Sequence, residues 1–312
     1  MEGHVTPKTI LGTVAAPISW GTTYVTVTEF LPPGRPLTLA ALRVLPAGLL
    51  LIGVGWLRSR WRPRGREWRQ HATIALFNFG LFFPLLIVAT YRLPGGIVGA
   101  GGGLQPLFVA LLTLAIVGRR PALRDTAVGL AAALGTAMVV WRTGAAFDAI
   151  GVVATVAATL SFAAAVVLTK HYPAPADRIA ATGWQLTLSA TVLVPLAWLV
   201  EGLPPAPAPR EFAGFAYLSL AATGVAFVLW FSGIQRLPST APPLLGLAAP
   251  LTGVTVGWVA LGQALTATQL AGFGITLAAI AIGVTRRPVE VVDSPVVTDC
   301  DPEVTGCAPV AA

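Results

Sequence analysis

The sequence is short of charge. Only 11% of its 312 residues are Asp, Glu, Lys or Arg, while 55% are hydrophobic. A soluble domain carries roughly 25% charged residues, so this chain cannot clothe a globular surface in water and its solvent is largely lipid. It is also short of cysteine: Cys300 and Cys307 lie near the C-terminus. Two thiols cannot complete a tetrahedral zinc site, and their spacing suits no redox motif, so they read as free thiols. No acidic residue falls in the middle of an apolar run, and His4, His71 and His171 fall at interfaces or outside. Pumps driven by protons keep a titratable group inside the bundle, and no such relay is evident. No metal cluster, P-loop or nucleophile–base pair is present, and no cofactor is implied. A phosphate or nucleotide-sugar cargo would need more buried cation than Arg43 supplies.

What remains is apolar sequence cut by short charged linkers. Ten spans are predicted at 10–31, 37–57, 72–92, 95–118, 122–142, 149–170, 178–200, 211–234, 239–262 and 266–285. Each is close to the ~20 residues that cross a hydrocarbon core about 30 Å thick. They are expected to be helices because a helix satisfies its own backbone groups in lipid. The alternation of a membrane barrel is absent. The fold class is therefore all-α integral membrane. Residues 286–312, with four prolines and five acidic residues, read as a disordered cytoplasmic tail.

Arginine sets the expected topology. The linker after span 2 carries Arg58, Arg60, Arg62, Arg64, Arg66 and Arg69, and a short loop this basic stays in the cytoplasm. With residues 1–9 and 286–312 then also inside, 15 of the 20 Lys and Arg residues are cytoplasmic, four are external and Arg43 lies within a span. The net charge of +7 thus reads as topology on an anionic leaflet rather than as a nucleic-acid surface. The expected location is the cell membrane.

The two halves echo each other. Tyr91-Arg92-Leu93-Pro94 returns as Gln235-Arg236-Leu237-Pro238, Gln105-Pro106 as Ala249-Pro250 and Gly118 as Gly262, all 144 residues on; Ser19-Trp20-Gly21 returns as Ser161-Phe162-Ala163 and Leu42-Arg43 as Trp184-Gln185, both 142 residues on. Two five-helix repeats, 10–142 and 149–285, follow. Five is odd, so the second repeat enters from the other side and the repeats are inverted. That architecture is typical of secondary transporters, with the site near the midplane where the halves meet and alternating access by rocking of one half. An intramembrane enzyme acting on a lipid-linked substrate is the alternative, and it lacks the embedded carboxylates or histidines such chemistry uses.

Trp20-Gly21, Ala41-Leu42-Arg43, Gln105-Pro106-Leu107, Thr223-Gly224 with Leu229-Trp230-Phe231, and Leu261-Gly262-Gln263 followed by Gln269-Leu270-Ala271-Gly272 are similar to motifs of the ten-helix EamA branch of the drug/metabolite transporter superfamily. Trp20-Gly21-Thr22-Thr23-Tyr24, Tyr91-Arg92-Leu93-Pro94-Gly95-Gly96 and Trp184-Gln185-Leu186 most resemble its blue-pigment (indigoidine) exporter subgroup. The resemblance implies export of amino acids, related metabolites or drugs. The sequence departs from it where the family's Glu after spans 4 and 9 is Arg119 and Gln263.

Polar and aromatic groups at depth are the candidate binding residues. Trp20, Tyr24, Arg43, Asn78, Gln105, Trp184, Gln185 and Trp230 are expected to line a neutral, aromatic cavity suited to a flat or zwitterionic metabolite. Trp20 serves either core packing or a cavity wall. Pro106 and Pro250, at equivalent depth, free a backbone carbonyl a turn earlier and mark paired interruptions or simple kinks. Arg43 either snorkels, receives a carboxylate, or closes an outer gate by pairing with Glu29.

Overall fold

The computed structural model describes residues 6–93, 98, 101–118, 122–140, 148–261 and 266–285. Among these every regular element is helical. The expected tail, Gly95, Arg119 and Gln263 lie outside the described residues.

Spans 2, 6 and 7 are unbroken helices, Pro36–Arg58, Ala149–His171 and Arg178–Glu201. Span 3 runs over Arg66–Arg92 and span 8 over Pro209–Arg236; spans 5 and 10 are Leu123–Val140 and Ala267–Thr285. Local chemistry sets the starts. Asp148 caps span 6 through the Gly151 N–H at 2.7 Å, and Asp177 caps span 7 through the N–H groups of Ile179 and Ala180. Prolines at helix starts lose an N–H that has no intrahelical partner anyway.

The remaining spans are interrupted. Span 1 is Pro7–Gly21 followed after Thr22 by Thr23–Phe30. Span 4 turns at Gly103 and Leu104 and restarts as Gln105–Val117. Span 9 is Ala241–Leu245, then a turn at Gly246 and Leu247, then Ala248–Leu261. The two turns fall at equivalent places in the repeats. Pro106 and Pro250 therefore do not kink a continuous helix. Each sits in the first turn of a new one, where its ring fits without a lost hydrogen bond.

Spans 3 and 8 each contain a π-helical stretch, Leu76–Leu81 and Tyr217–Val225. Shifted by 144 residues, the first falls on 220–225, within the second. A π turn widens the backbone and leaves carbonyls available to side-chain donors, and such turns recur at functional sites.

The packing obeys the repeat. Span 2 lies against span 7 and span 5 against span 10; spans 3 and 4 pack on span 6, as spans 8 and 1, and 9 and 1, do in the exchanged half. Span 2 touches span 8, and span 7 touches span 3. Two crossings are close enough to demand glycine. A Cβ on Gly48 would stand 2.6 Å from Thr187 Oγ1, and one on Gly272 would stand 2.6 Å from the Gly135 carbonyl. Small residues let backbones approach where lipid supplies no hydrophobic drive. The outer surface carries Leu57, Val153, Leu199 and Leu270 largely exposed, an apolar coat of the kind that faces lipid in a membrane bundle.

Candidate functional site

Equivalent residues of the two repeats meet at the centre. Trp20 and its counterpart Phe162 have ring centroids 5.6 Å apart, and Phe83 and its counterpart Phe227 are 6.1 Å apart. Residues related by a two-fold touch each other only beside the axis, so these rings mark where the halves meet. Trp20 also packs on Phe227 at 4.8 Å and on Trp230 at 5.2 Å, and Phe79 packs on Phe227 at 4.7 Å. Trp230 and Phe79 are fully buried.

The π segments receive donors from the opposite repeat. In span 8 the Ala222 carbonyl accepts the Trp20 indole N–H at 3.0 Å and Arg43 Nη2 at 3.2 Å, while Thr223 Oγ1 accepts Arg43 Nε at 2.7 Å. Arg43 stacks over Phe83 at 4.4 Å and is only 3% exposed. In span 3 the Phe77 carbonyl accepts the Ser161 hydroxyl at 2.7 Å. Ser161 and Trp20 come from corresponding helices, so each repeat's first helix holds the other's π segment.

Several buried polar groups here have no protein partner: both amide atoms of Asn78, Nε2 of Gln105 and Nε1 of Trp230. An unmet buried polar group costs about 1–3 kcal/mol. Each is the kind that would hydrogen-bond a cargo. Gln105 also lies beside the span 9 turn, with Oε1 3.0 Å from where a Cβ on Gly246 would stand.

The bundle has a basic end, carrying the linker after span 2, and a far end. At the far end Glu201 accepts the N–H groups of Leu37 and Thr38 at 2.7 and 2.8 Å, and Arg35 donates to the Leu203 carbonyl at 3.1 Å. Arg92 and Asp148 pair there at 3.4 Å. The Gly151 N–H, joined by the Arg92 charge, holds the Asp148 carboxyl below the usual carboxylate range. At the basic end Lys170 donates to the Leu237 carbonyl at 2.8 Å, and Gln235 donates to the Thr169 carbonyl. Two cavities open here. The larger, about 910 Å³, is lined by linker arginines, the start of span 7 and the end of span 8. The smaller, about 90 Å³, lies between His71, Gln185, Phe231 and Gln235.

The expected residues do not form one cavity. Trp20, Arg43 and Trp230 meet at the centre. Asn78 follows Phe77, whose carbonyl Ser161 binds, and precedes Phe79 of the aromatic cluster. Gln185 instead lies at the basic end, with Nε2 2.9 Å from His71 Nδ1 and Oε1 unpartnered. Trp184, on the same helix, turns to Trp68 at 5.1 Å and lines neither cavity. The side chain of Tyr24 lies outside the described residues. Glu29 is exposed on the far-end half of span 1, and no ion pair joins it to Arg43 among the described residues. The expected Arg43–Glu29 contact is replaced by one to span 8, because the π turn offers uncharged oxygens where the guanidinium enters.

His71, expected at an interface, is instead buried at 7% exposure and packs against Trp61. Phe79, Phe83, Phe162 and Phe227 join the centre without having been expected there. A signal existed for the last group: Phe83 and Phe227, like Gly80 and Gly224 of the π segments, are 144 residues apart.

An all-helical membrane bundle of two repeats, its halves joined by mid-depth helix breaks, defines a polytopic transporter. Residues 7–141 and 149–285 each match the EamA-like transporter family, and the chain belongs to that family. It is similar to Protein PecM of Dickeya dadantii (strain 3937), 37% identical over 269 residues covering 86% of this chain and 89% of that one. It is also similar to the uncharacterized transporter YwfM of Bacillus subtilis (strain 168), 24% identical, covering 90% and 94% of the two chains. A solved crystal structure shares the fold with a TM-score of 0.73 and 21% identity, over 88% of this chain and 96% of that one.

Proposed function

We propose that the protein is a secondary transporter of the cytoplasmic membrane that exports a small amphipathic metabolite by alternating access. The observation that carries this is the unequal state of two equivalent halves. Arg43 grips the π segment of span 8 and sits toward the far end. Its counterpart Gln185 is turned to His71, and the π segment of span 3 holds an Asn78 amide with no protein partner. One end is latched while cavities open at the other. Inverted repeats exchange conformations when the site changes sides, so in the opposite state Gln185 grips span 3 and Arg43 lets go.

The arginine-rich end faces the cytoplasm, and both termini are cytoplasmic. The cargo sits among Trp20, Phe79, Phe227 and Trp230, hydrogen-bonded by Asn78 and Gln105. Such a surface suits a flat or zwitterionic organic molecule. The motifs that resemble the pigment-exporter subgroup agree with a planar cargo. Gating falls to the Arg43 latch and to the turns before Pro106 and Pro250; Glu29, at the surface, serves at most as a peripheral proton site. The test is uptake into inside-out vesicles. Trp20→Ala and Gln105→Ala should cut uptake at least tenfold at unchanged protein level; wild-type uptake by both would move the site elsewhere.

A further inference from the structure

The linker after span 2 has six arginines, and they are not equivalent. Arg58, Arg60, Arg62 and Arg64 line the larger cavity together with Arg178 from span 7 and Arg236 from span 8; Arg66 and Arg69 do not. Six cations thus gather from three elements around one space, against two carboxylates, Glu67 and Asp177. Both carboxylates are already used. Glu67 accepts the Arg64 N–H at 2.8 Å, and Asp177 caps span 7 and accepts the Ser59 hydroxyl.

Among the described residues none of the six guanidinium groups makes a hydrogen bond or ion pair, and the one ion pair is Arg92–Asp148. The Nε of Arg178 is buried without a partner. Six cations against two carboxylates leave an excess of positive charge around one space, and Arg178 stands in the first turn of span 7, where the helix dipole disfavours a cation.

The backbone is strained at the same place. Arg60 has φ +51°, and its N–H bonds the Gly55 carbonyl at 3.2 Å where span 2 ends. That left-handed closing position is usually glycine. A long charged side chain kept there, against a conformational cost, points to a use for the charge.

We infer that this cavity is a binding site for an oxyanion group, carboxylate or phosphate, on a molecule arriving at the basic end. Guanidinium forks match both groups bidentately, and Trp61 on the cavity wall offers a face for an attached ring or chain. The site is separate from the central aromatic cluster and stands whether or not the cargo passes through it. The anion is either a soluble organic acid or the headgroup of an anionic lipid.

The experiment uses the full chain in nanodiscs of phosphatidylcholine alone, titrated with phenyl phosphate, benzoate or phenyltrimethylammonium. Binding is read as Trp fluorescence that disappears in Trp61→Phe. Wild type should bind the two anions saturably and at least tenfold more tightly than the cation. Arg62→Gln with Arg64→Gln should weaken anion binding tenfold or more, as should Arg236→Gln, which lies outside the linker. Arg66→Gln with Arg69→Gln, equal in charge removed but off the cavity, should change it by less than about twofold. If phosphatidylglycerol in the nanodisc abolishes the soluble-anion signal, the site is a lipid headgroup site; if it does not, the ligand is soluble. No preference for anions in wild type, or equal losses from the cavity and off-cavity pairs, overturns the inference.

Discussion

Thr223→Val tests the latch at its narrowest point. Valine has nearly the same shape as threonine, so packing is preserved and only the acceptor for Arg43 Nε is lost. The bond is 2.7 Å, buried and charge-assisted, and such bonds contribute about 1.5–3 kcal/mol. The Ala222 carbonyl still holds Nη2 at 3.2 Å, so Arg43 stays in place with one donor unmet. The state closed at the far end should lose about 1.5–3 kcal/mol relative to the opposite state, a shift of roughly tenfold to 150-fold. The chain suits a labelling assay because Cys300 and Cys307 are its only cysteines. In a background lacking both, Leu39→Cys places a thiol at a position 3% exposed in span 2. An impermeant maleimide added outside should label it at least tenfold faster when Thr223→Val is present. Equal rates would show that the Arg43–Thr223 contact does not close this end, and the latch would be withdrawn.

Other outcomes follow from single contacts. Asn78→Leu should raise thermal stability by about 1–3 kcal/mol, by removing two unmet buried polar atoms, while transport falls; lost stability with normal transport would place an undetected structural partner there. Arg60→Gly should stabilise the detergent-solubilised protein by about 1 kcal/mol in thermal melts, relieving the left-handed arginine; a fall in stability would mean the side chain holds the linker together. Gly272→Val should destabilise the crossing of spans 5 and 10 severely, seen as loss of monodisperse protein on gel filtration. Asp177→Asn keeps a capping oxygen but removes the charge that strengthens its hydrogen bonds, so it should lower stability at neutral pH. Burial would raise the Asp177 carboxyl, but the Ser59 hydroxyl, the N–H groups of Ala180 and Ile179 and the Arg58 charge outweigh it and hold it below the usual range. Its contribution is therefore present above the unfolded carboxylate value near ~3.9 and is lost as pH falls through the lower folded value. Melting curves of wild type and Asp177→Asn should converge in that acid range and separate above it; parallel curves throughout would refute the assignment.

Much of the fold was legible because lipid imposes few solutions. The apolar runs had to be helices, and the observed bounds of spans 6 and 7, Ala149–His171 and Arg178–Glu201, lie within a residue or so of the runs themselves. The repeat was legible through motifs at a nearly constant offset. What the sequence did not disclose was geometry inside the spans. A π turn is a choice between hydrogen-bond registers that few residues dictate, and Gly80 with Gly224 was its only trace. Depth along a span was readable but direction around the helix was not, so Trp184 was grouped with the cavity although it faces Trp68. Inversion had a further consequence: Arg43 and Gln185 are equivalent in sequence yet lie toward opposite ends, so equivalence did not place them in one cavity. His71 is buried because span 7 folds over it through Gln185, which its position at the end of a span does not disclose.

In the proposed function the aromatic cluster on the two-fold carries a metabolite outward. The measurement that tests it most directly is quantitative metabolite profiling, inside cells and in medium, of a deletion strain complemented with wild type or with Trp20→Ala at equal membrane levels. One amphipathic organic compound should accumulate inside the deletion strain, wild type should return it to the medium, and Trp20→Ala should not. No compound changing sides with the gene, or full restoration by Trp20→Ala, would contradict it.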